Sequence, residues 1–237
     1  MEWDERAGRV SLSFDNWKLD DKDIRAFFKL TTNWAARQYE DIWNESESAA
    51  DILTDFNDAD FEQRVGGLWP DDYQWILRAA TIREAVTAFE VYLEKSLGEV
   101  LACRLRARVK MQPGRSPGWD ALVRGHKLIG VNVSTERVQH IRALRHLLTH
   151  QRGELRTEAM RARFAADYLL PENLDTGEQI WDRARVGRKV QLTRTIVNAV
   201  LDDLGVTIRE VDGRVWAVAW DSAPAPGLDR LISKMNE

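Results

Sequence analysis

Apolar positions along the chain recur mostly at helical spacing. Val10-Ser11-Leu12-Ser13-Phe14 alternates apolar and polar and predicts a short strand. Asp20 and Asp21 then offer N-caps for an amphipathic helix. Its Ile24, Phe27, Phe28, Thr31, Trp34, Ala35, Gln38 and Ile42 follow the i, i+3, i+4, i+7 template. Residues 46–63 are acidic and mixed, the pattern of a shorter helix, and Val65-Gly66-Gly67-Leu68-Trp69-Pro70 interrupts it. Pro70-Asp71-Asp72 reads as a helix start, since the fixed φ of proline suits the first turn and acids favour the positive end of the dipole. Ile82, Val86, Phe89, Leu93, Leu97 and Val100 then recur at steps of 4, 3, 4, 4 and 3, predicting one helix over about 72–109.

The pattern continues after the Pro- and Gly-rich loop Met111–Gly118. A short helix is expected around 119–128, then one capped by Ser134 or Thr135 and running to about Gly153, then one over 156–169. Pro171 to Gly187 reads as a loop. Residues 188–204 form a further amphipathic helix through Val190, Ile196, Val197, Val200, Leu201 and Leu204, closed by Gly205. Beyond it the apolar residues become β-branched. Val206–Val211 and Arg214–Trp220 flank Asp212-Gly213, which predicts a hairpin because Asp-Gly tolerates the positive φ of a type I′ turn. Ala223-Pro224-Ala225-Pro226 opens a tail. The expected fold is mainly all-α with a small β-hairpin near the C-terminus. Its segments are an acidic N-terminal helical extension (1–66), a helical bundle (67–205), and the hairpin with its tail (206–237).

Composition narrows the class. The 237 residues are 44% hydrophobic and 30% charged, enough to fold around a sizeable core. The single cysteine, Cys103, makes no internal disulfide and no thiolate zinc site. No apolar run approaches membrane-spanning length, and the acidic start is unlike a signal peptide. A soluble cytoplasmic protein is expected.

The net charge of −4 hides an uneven distribution. Residues 1–62 carry 7 basic and 16 acidic side chains (−9), whereas 101–163 carry 14 and 4 (+10). Two explanations stand side by side: a solvated helix face paired with the acidic part, or a surface that attracts polyanions. On the second, the acidic segment would fold over the basic one and restrain access to it.

Candidate chemistry sits in Val138–Gly153. With Arg142 set at 0° and about 100° per residue, Ile141, Leu144, Leu147 and Leu148 fall between about 140° and 260° and face a core. Arg145, Thr149, His146 and His150 fall at about 300°, 340°, 40° and 80°. One face therefore gathers two arginines, two histidines and a hydroxyl. Arginine binds phosphate oxygens bidentately and keeps its charge; histidine takes and returns a proton near neutral pH. Transphosphorylation of RNA needs that pairing: a base for the 2′-OH and a cation for the developing charge.

Arg145-His146-Leu147-Leu148-Thr149-His150 resembles the Arg-x4–6-His motif of the HEPN superfamily, whose second position is often polar. The resemblance spans roughly residues 70–205. It implies an all-α bundle, usually dimeric, with two motif copies facing each other in a composite active site. It further implies metal-independent endoribonuclease activity without a cofactor, commonly in toxin–antitoxin or phage-defence systems with an antitoxin or regulatory protein. Arg145 would hold the scissile phosphate, His150 would be general base or acid, and His146 would orient the phosphate or share the proton transfer. Arg142, Thr149 and Arg152 would contact the RNA.

Other features have plainer readings. His126 and His140 match no motif and read as surface or satisfied histidines. His146 and His150 have the i, i+4 spacing of metal ligands, but no Glu lies between them and no third ligand is apparent, so no metal is expected. Arg104, Arg106, Arg108, Lys110 and Arg115 point to different helix faces and read as solvated. Asp55–Asp60 lacks the Gly and terminal Glu of a calcium loop. Tryptophans such as Trp34 and Trp75 read as core or interface, and Cys103 as a small buried hydrophobe. The alternative function is a non-catalytic helical interaction module using the Arg/His face as a dimer or partner interface. A DNA-binding basic helix is weaker still, because no recognition-helix pair with a tight turn is present.

Overall fold

The computed structural model describes residues 10–49, 70–105, 117–168 and 189–235. The described residues form seven helices and no strand: α1 (Leu12–Ala49), α2 (Pro70–Leu105), α3 (Trp119–Leu128), α4 (Glu136–His150), α5 (Glu158–Tyr168), α6 (Arg194–Ala219) and α7 (Pro226–Met235). The all-α expectation holds. The predictions for 50–69, 106–116 and 169–188, among them the Asp55–Asp60 cluster and most of the 106–115 basic run, lie outside the described residues.

Hydroxyl caps set four of the helix starts. Ser11 Oγ accepts the Phe14 N–H (3.1 Å), Thr135 Oγ1 that of Val138 (3.3 Å), Thr157 Oγ1 that of Met160 (3.2 Å) and Thr193 Oγ1 that of Ile196 (3.2 Å). Each satisfies a donor that the first helical turn leaves orphaned. The cap at Ser11 removes the expected strand at 10–14. On a helix, residues two apart point to opposite sides, and Leu12 is 64% exposed while Phe14 is 6%.

The expected C-terminal hairpin is also corrected, because α6 runs unbroken through Asp212-Gly213 to Ala219. Its buried Ile196, Val197, Val200, Leu201, Leu204, Ile208, Val211, Val215 and Val218 keep helical spacing throughout. Burial of that stripe outweighs the β-propensity of its valines and the cost of two internal glycines, each about 1 kcal/mol. The expected tail is helix α7, which starts at Pro226, with the Ala225 N–H donating to Asp229 Oδ2 (3.2 Å).

The chain divides into two compact units, and α1, α2, α4 and α6 each contribute residues to both. The first unit comprises residues 1–22, 84–146 and 198–237. In it the Glu99 carboxylate closes the N-terminus of α1. It accepts the N–H of Leu12 (3.1 Å) and Ser13 (3.0 Å), the Ser13 hydroxyl (2.6 Å) and the Trp220 indole N–H (2.9 Å). Buried Asp212 adds a bond from the Ser11 N–H (3.2 Å). Two acids thus face the positive end of a helix dipole. Behind them Phe14 and Trp17 pack with Tyr92, whose hydroxyl donates to the Ile208 carbonyl. Burial pushes the Tyr92 phenol well up, and the Asp212 and Glu99 charges add to this. Further along, Arg214 bonds the carbonyls of Ile129 (2.6 Å) and Pro224 (2.6 Å), and Gly227 lies against the α3 backbone at Leu128.

His126 is fully buried in this unit. Its Nδ1–H donates to the Leu122 carbonyl (2.9 Å), since a carbonyl only accepts, which leaves Nε2 as the acceptor facing Ser96 Oγ at 3.2 Å. Burial lowers its pKa to about 4, with the Leu122 bond opposing.

The second unit comprises residues 23–83 and 147–197. Ile24, Phe28, Ile82, Leu147, Leu148, Leu155, Phe164, Val190, Leu192 and Val197 are buried there. Among the described residues, Phe14, Trp17, Ile24 and Phe28 are core residues, so a chain lacking residues 1–62 would lose at least these side chains from its core.

Two outcomes are expected from this packing. Glu99→Ala strands four donors and should lower unfolding stability in a urea titration by about 2–3 kcal/mol. Glu99→Gln, whose amide oxygen still accepts, should cost less. For His126, the unfolded chain binds a proton near its ordinary 6.5 that the folded chain refuses until about 4. Stability from this group is therefore complete above about 6.5 and falls as pH drops towards 4, by up to about 3 kcal/mol. Thermal melts across that range should fall less steeply for His126→Gln than for the natural chain.

Candidate functional site

The motif lies on the last turns of α4. Ile141, Leu144, Leu147 and Leu148 are buried, and the side chains about half a turn away divide into two groups. His146, Thr149 and His150 are exposed, while Arg142 and Arg145 are half-buried. All five share one continuous helix, so their order around its axis follows from the α-helical repeat. His146 and His150, one turn apart, have Cβ atoms about 5–6 Å from each other. The spacing suits two imidazoles flanking one phosphodiester.

Arg142 is engaged within the first unit. Its Nε donates to Glu90 Oε1 at 2.8 Å, and its guanidinium carbon lies 3.7 Å from the centroid of the Trp119 ring. An arginine held by a carboxylate on one side and an aromatic face on the other is a packing element. Arg137 pairs with Asp203, and Arg104 with Asp229 and the Ala223 carbonyl. Part of the positive surplus of residues 101–163 is thus neutralised inside the same unit.

Arg152 is not on the helix. The helix was expected to run to about Gly153, but it ends at His150, and Arg152 follows with φ 51° and Gly153 with φ 77°. The N–H groups of Gln151 and Gly153 both return to the Leu147 carbonyl, at 3.0 and 3.1 Å. The Gly153 carbonyl accepts the Val190 N–H (2.8 Å), and Glu154 pairs with Lys189 in an isolated antiparallel bridge. From α2, Trp75 donates to the Val190 carbonyl (2.9 Å) and Arg78 to that of Leu192 (2.8 Å). His150 therefore sits at a helix end fixed by a segment about 40 residues later in the chain.

That junction supplies a residue the sequence reading missed. Lys189 lies opposite Glu154, with its ammonium 5.0 Å from the centroid of the Trp75 ring, so a further cation is paired with the segment that leaves the helix after His150. Only the pairing of the two segments brings it there. His126, by contrast, is satisfied and buried, and Cys103 is half-exposed where burial was expected. Trp34, expected in a core or an interface, is 66% exposed. Among the described residues no group of three or more His, Cys, Asp or Glu is gathered as a metal site would require, and no helix is long and apolar enough to cross a membrane.

Comparison with models of known protein families, with curated proteins and with solved structures finds no match to this chain.

The helix end admits only glycine at 153. Its φ is left-handed, and an added Cβ would lie 2.5 Å from Trp75 Cζ2. Gly153→Ala is expected to lower stability by about 2 kcal/mol or more, read as a drop in thermal midpoint.

Proposed function

We propose that the chain is an endoribonuclease of the HEPN type, cutting RNA without a metal ion and leaving 2′,3′-cyclic phosphate and 5′-hydroxyl ends. One observation carries the reading: His146, Thr149 and His150 are exposed together on the end of α4, beside half-buried Arg145 and opposite a fully buried apolar stripe. In this reading one imidazole takes the proton of the ribose 2′-OH. The oxygen then attacks the adjacent phosphorus, forming the P–O2′ bond and breaking P–O5′. The other imidazole, protonated beforehand, gives its proton to the departing 5′ oxygen, so the pair ends with its protonation exchanged. Arg145 stabilises the charge that builds on the phosphoryl oxygens. His150 is the proposed base or acid, with His146 its partner or the phosphate-orienting group. Thr149 and Arg152 would meet the flanking backbone. A homodimer with two facing motifs, held in check by an antitoxin or regulatory protein in a defence role, is the setting the motif suggests.

The engagement of Arg142 with Glu90 and Trp119 favours a second reading, in which this face is a non-catalytic dimer or partner interface. Cleavage of a mixed RNA ladder in EDTA separates the two. The natural chain should leave cyclic phosphate ends, and Arg145→Ala and His150→Ala should each cut about 10²- to 10⁴-fold more slowly. Arg142→Ala should act chiefly on stability. Absence of cleavage on tRNA, mRNA and single-stranded oligonucleotides, or equal cleavage by folded His150→Ala, overturns the nuclease.

A further inference from the structure

Helix α1 has two apolar faces. In the second unit, Ile24 and Phe28 supply its buried side, while Phe27 (48% exposed), Leu30 (67%) and Trp34 (66%) form a stripe on the side turned to solvent. The stripe borders an open groove of about 490 Å³ lined by Leu30, Thr31, Asn33, Trp34 and Arg37. Large apolar side chains exposed in a row mark an interaction surface. The charges bordering this row say what covers it. Asp23 lies seven residues before Leu30 and Arg37 seven residues after, on the same face, and both are exposed.

We propose that this face of α1 pairs with the same face of a second copy of the chain, antiparallel, about a two-fold axis at Leu30. That arrangement sets Leu30 against the Leu30 of the second copy and places Asp23 of each copy opposite Arg37 of the other. It also faces Trp34 with the small Ala26, and Phe27 with Asn33, so large side chains meet small ones. A parallel pairing would stack Asp23 on Asp23 and Arg37 on Arg37. Helices pack with axes about 8–10 Å apart, within reach of an Asp–Arg pair. The surface is distinct from the motif on α4, and the proposal does not rest on the ribonuclease reading.

Sedimentation over a concentration series tests it. The full chain should reach at least the mass of two 27.3 kDa chains, and more where the facing-motif interface forms as well, and Leu30→Glu, folded by circular dichroism, should have at most half that mass. Asp23→Arg should weaken association about tenfold, and adding Arg37→Asp should restore it. In a Cys103→Ser background, Leu30→Cys should oxidise to a linked pair and Arg37→Cys should not, since its two thiols would lie about 21 Å apart along the helices. His150→Ala should leave the dimer intact, which separates this interface from one built on the motif. A natural chain that stays at the mass of one chain, bare or holding a different protein on this face, overturns the proposal. So does a mass that Leu30→Glu leaves unchanged, or a charge reversal that the second reversal does not rescue.

Discussion

A single carboxylate organises the first unit. Glu99, well along α2, takes two backbone N–H groups and a hydroxyl from the start of α1 and the indole N–H of Trp220 just past α6. It does what an N-cap side chain does, but from another helix. Without it the first turn of α1 would keep only Asp212 and the Ser11 hydroxyl as side-chain acceptors. Because Phe14 and Trp17 follow directly, the position of that turn also sets how α1 fills the core beside Tyr92. The apolar packing needs the polar anchor to select one register.

The same logic governs the candidate site. The start of α4 is set locally by Thr135, its end by a distant segment. Gly153 turns in the left-handed region against Trp75 and pairs with Val190, so His150 stands on the last helical residue. A site at the end of a helix keeps the rigidity of the helix while leaving its side chains accessible. Arginine, meanwhile, is used in two ways on one face. Arg142 is spent on Glu90 and Trp119, while Arg145, nearly one turn on, lies beside the exposed histidines.

Much of the helical layout was legible. Of the 4, 3, 4, 4, 3 series from Ile82 to Val100, all but half-buried Leu97 are buried on α2, and Ile141, Leu144, Leu147 and Leu148 are the buried side of α4. Periodicity reads well where one face is apolar and the other polar. It failed at the two ends of the chain for specific reasons. Val10 to Phe14 is too short to tell a period of two from one of 3.6, and the cap at Ser11 decides for the helix. Val206 to Trp220 has β-branched residues and an Asp-Gly pair, yet Ile208, Val211, Val215 and Val218 continue the stripe begun at Ile196. Gly205 has the local chemistry of a helix stop, and that longer period overrides it. Local preference is worth about 1 kcal/mol per residue, and a buried stripe several times that.

The sequence by itself determined that the chain is helical, where most of its helices lie, and that Arg145, His146, Thr149 and His150 share a face. All of these follow from the angle between successive residues on a helix, which needs no knowledge of what packs where. Tertiary structure alone decided that Glu99 caps α1, that Arg142 is held by Glu90 and Trp119, and that Lys189 arrives beside Glu154. It also decided that His126 is buried while Trp34 is not. These pairings join residues from about 20 to about 90 positions apart, and their energies depend on distance and burial. No local pattern carries that information, because a charged or aromatic side chain looks the same in sequence whether solvent or a partner awaits it.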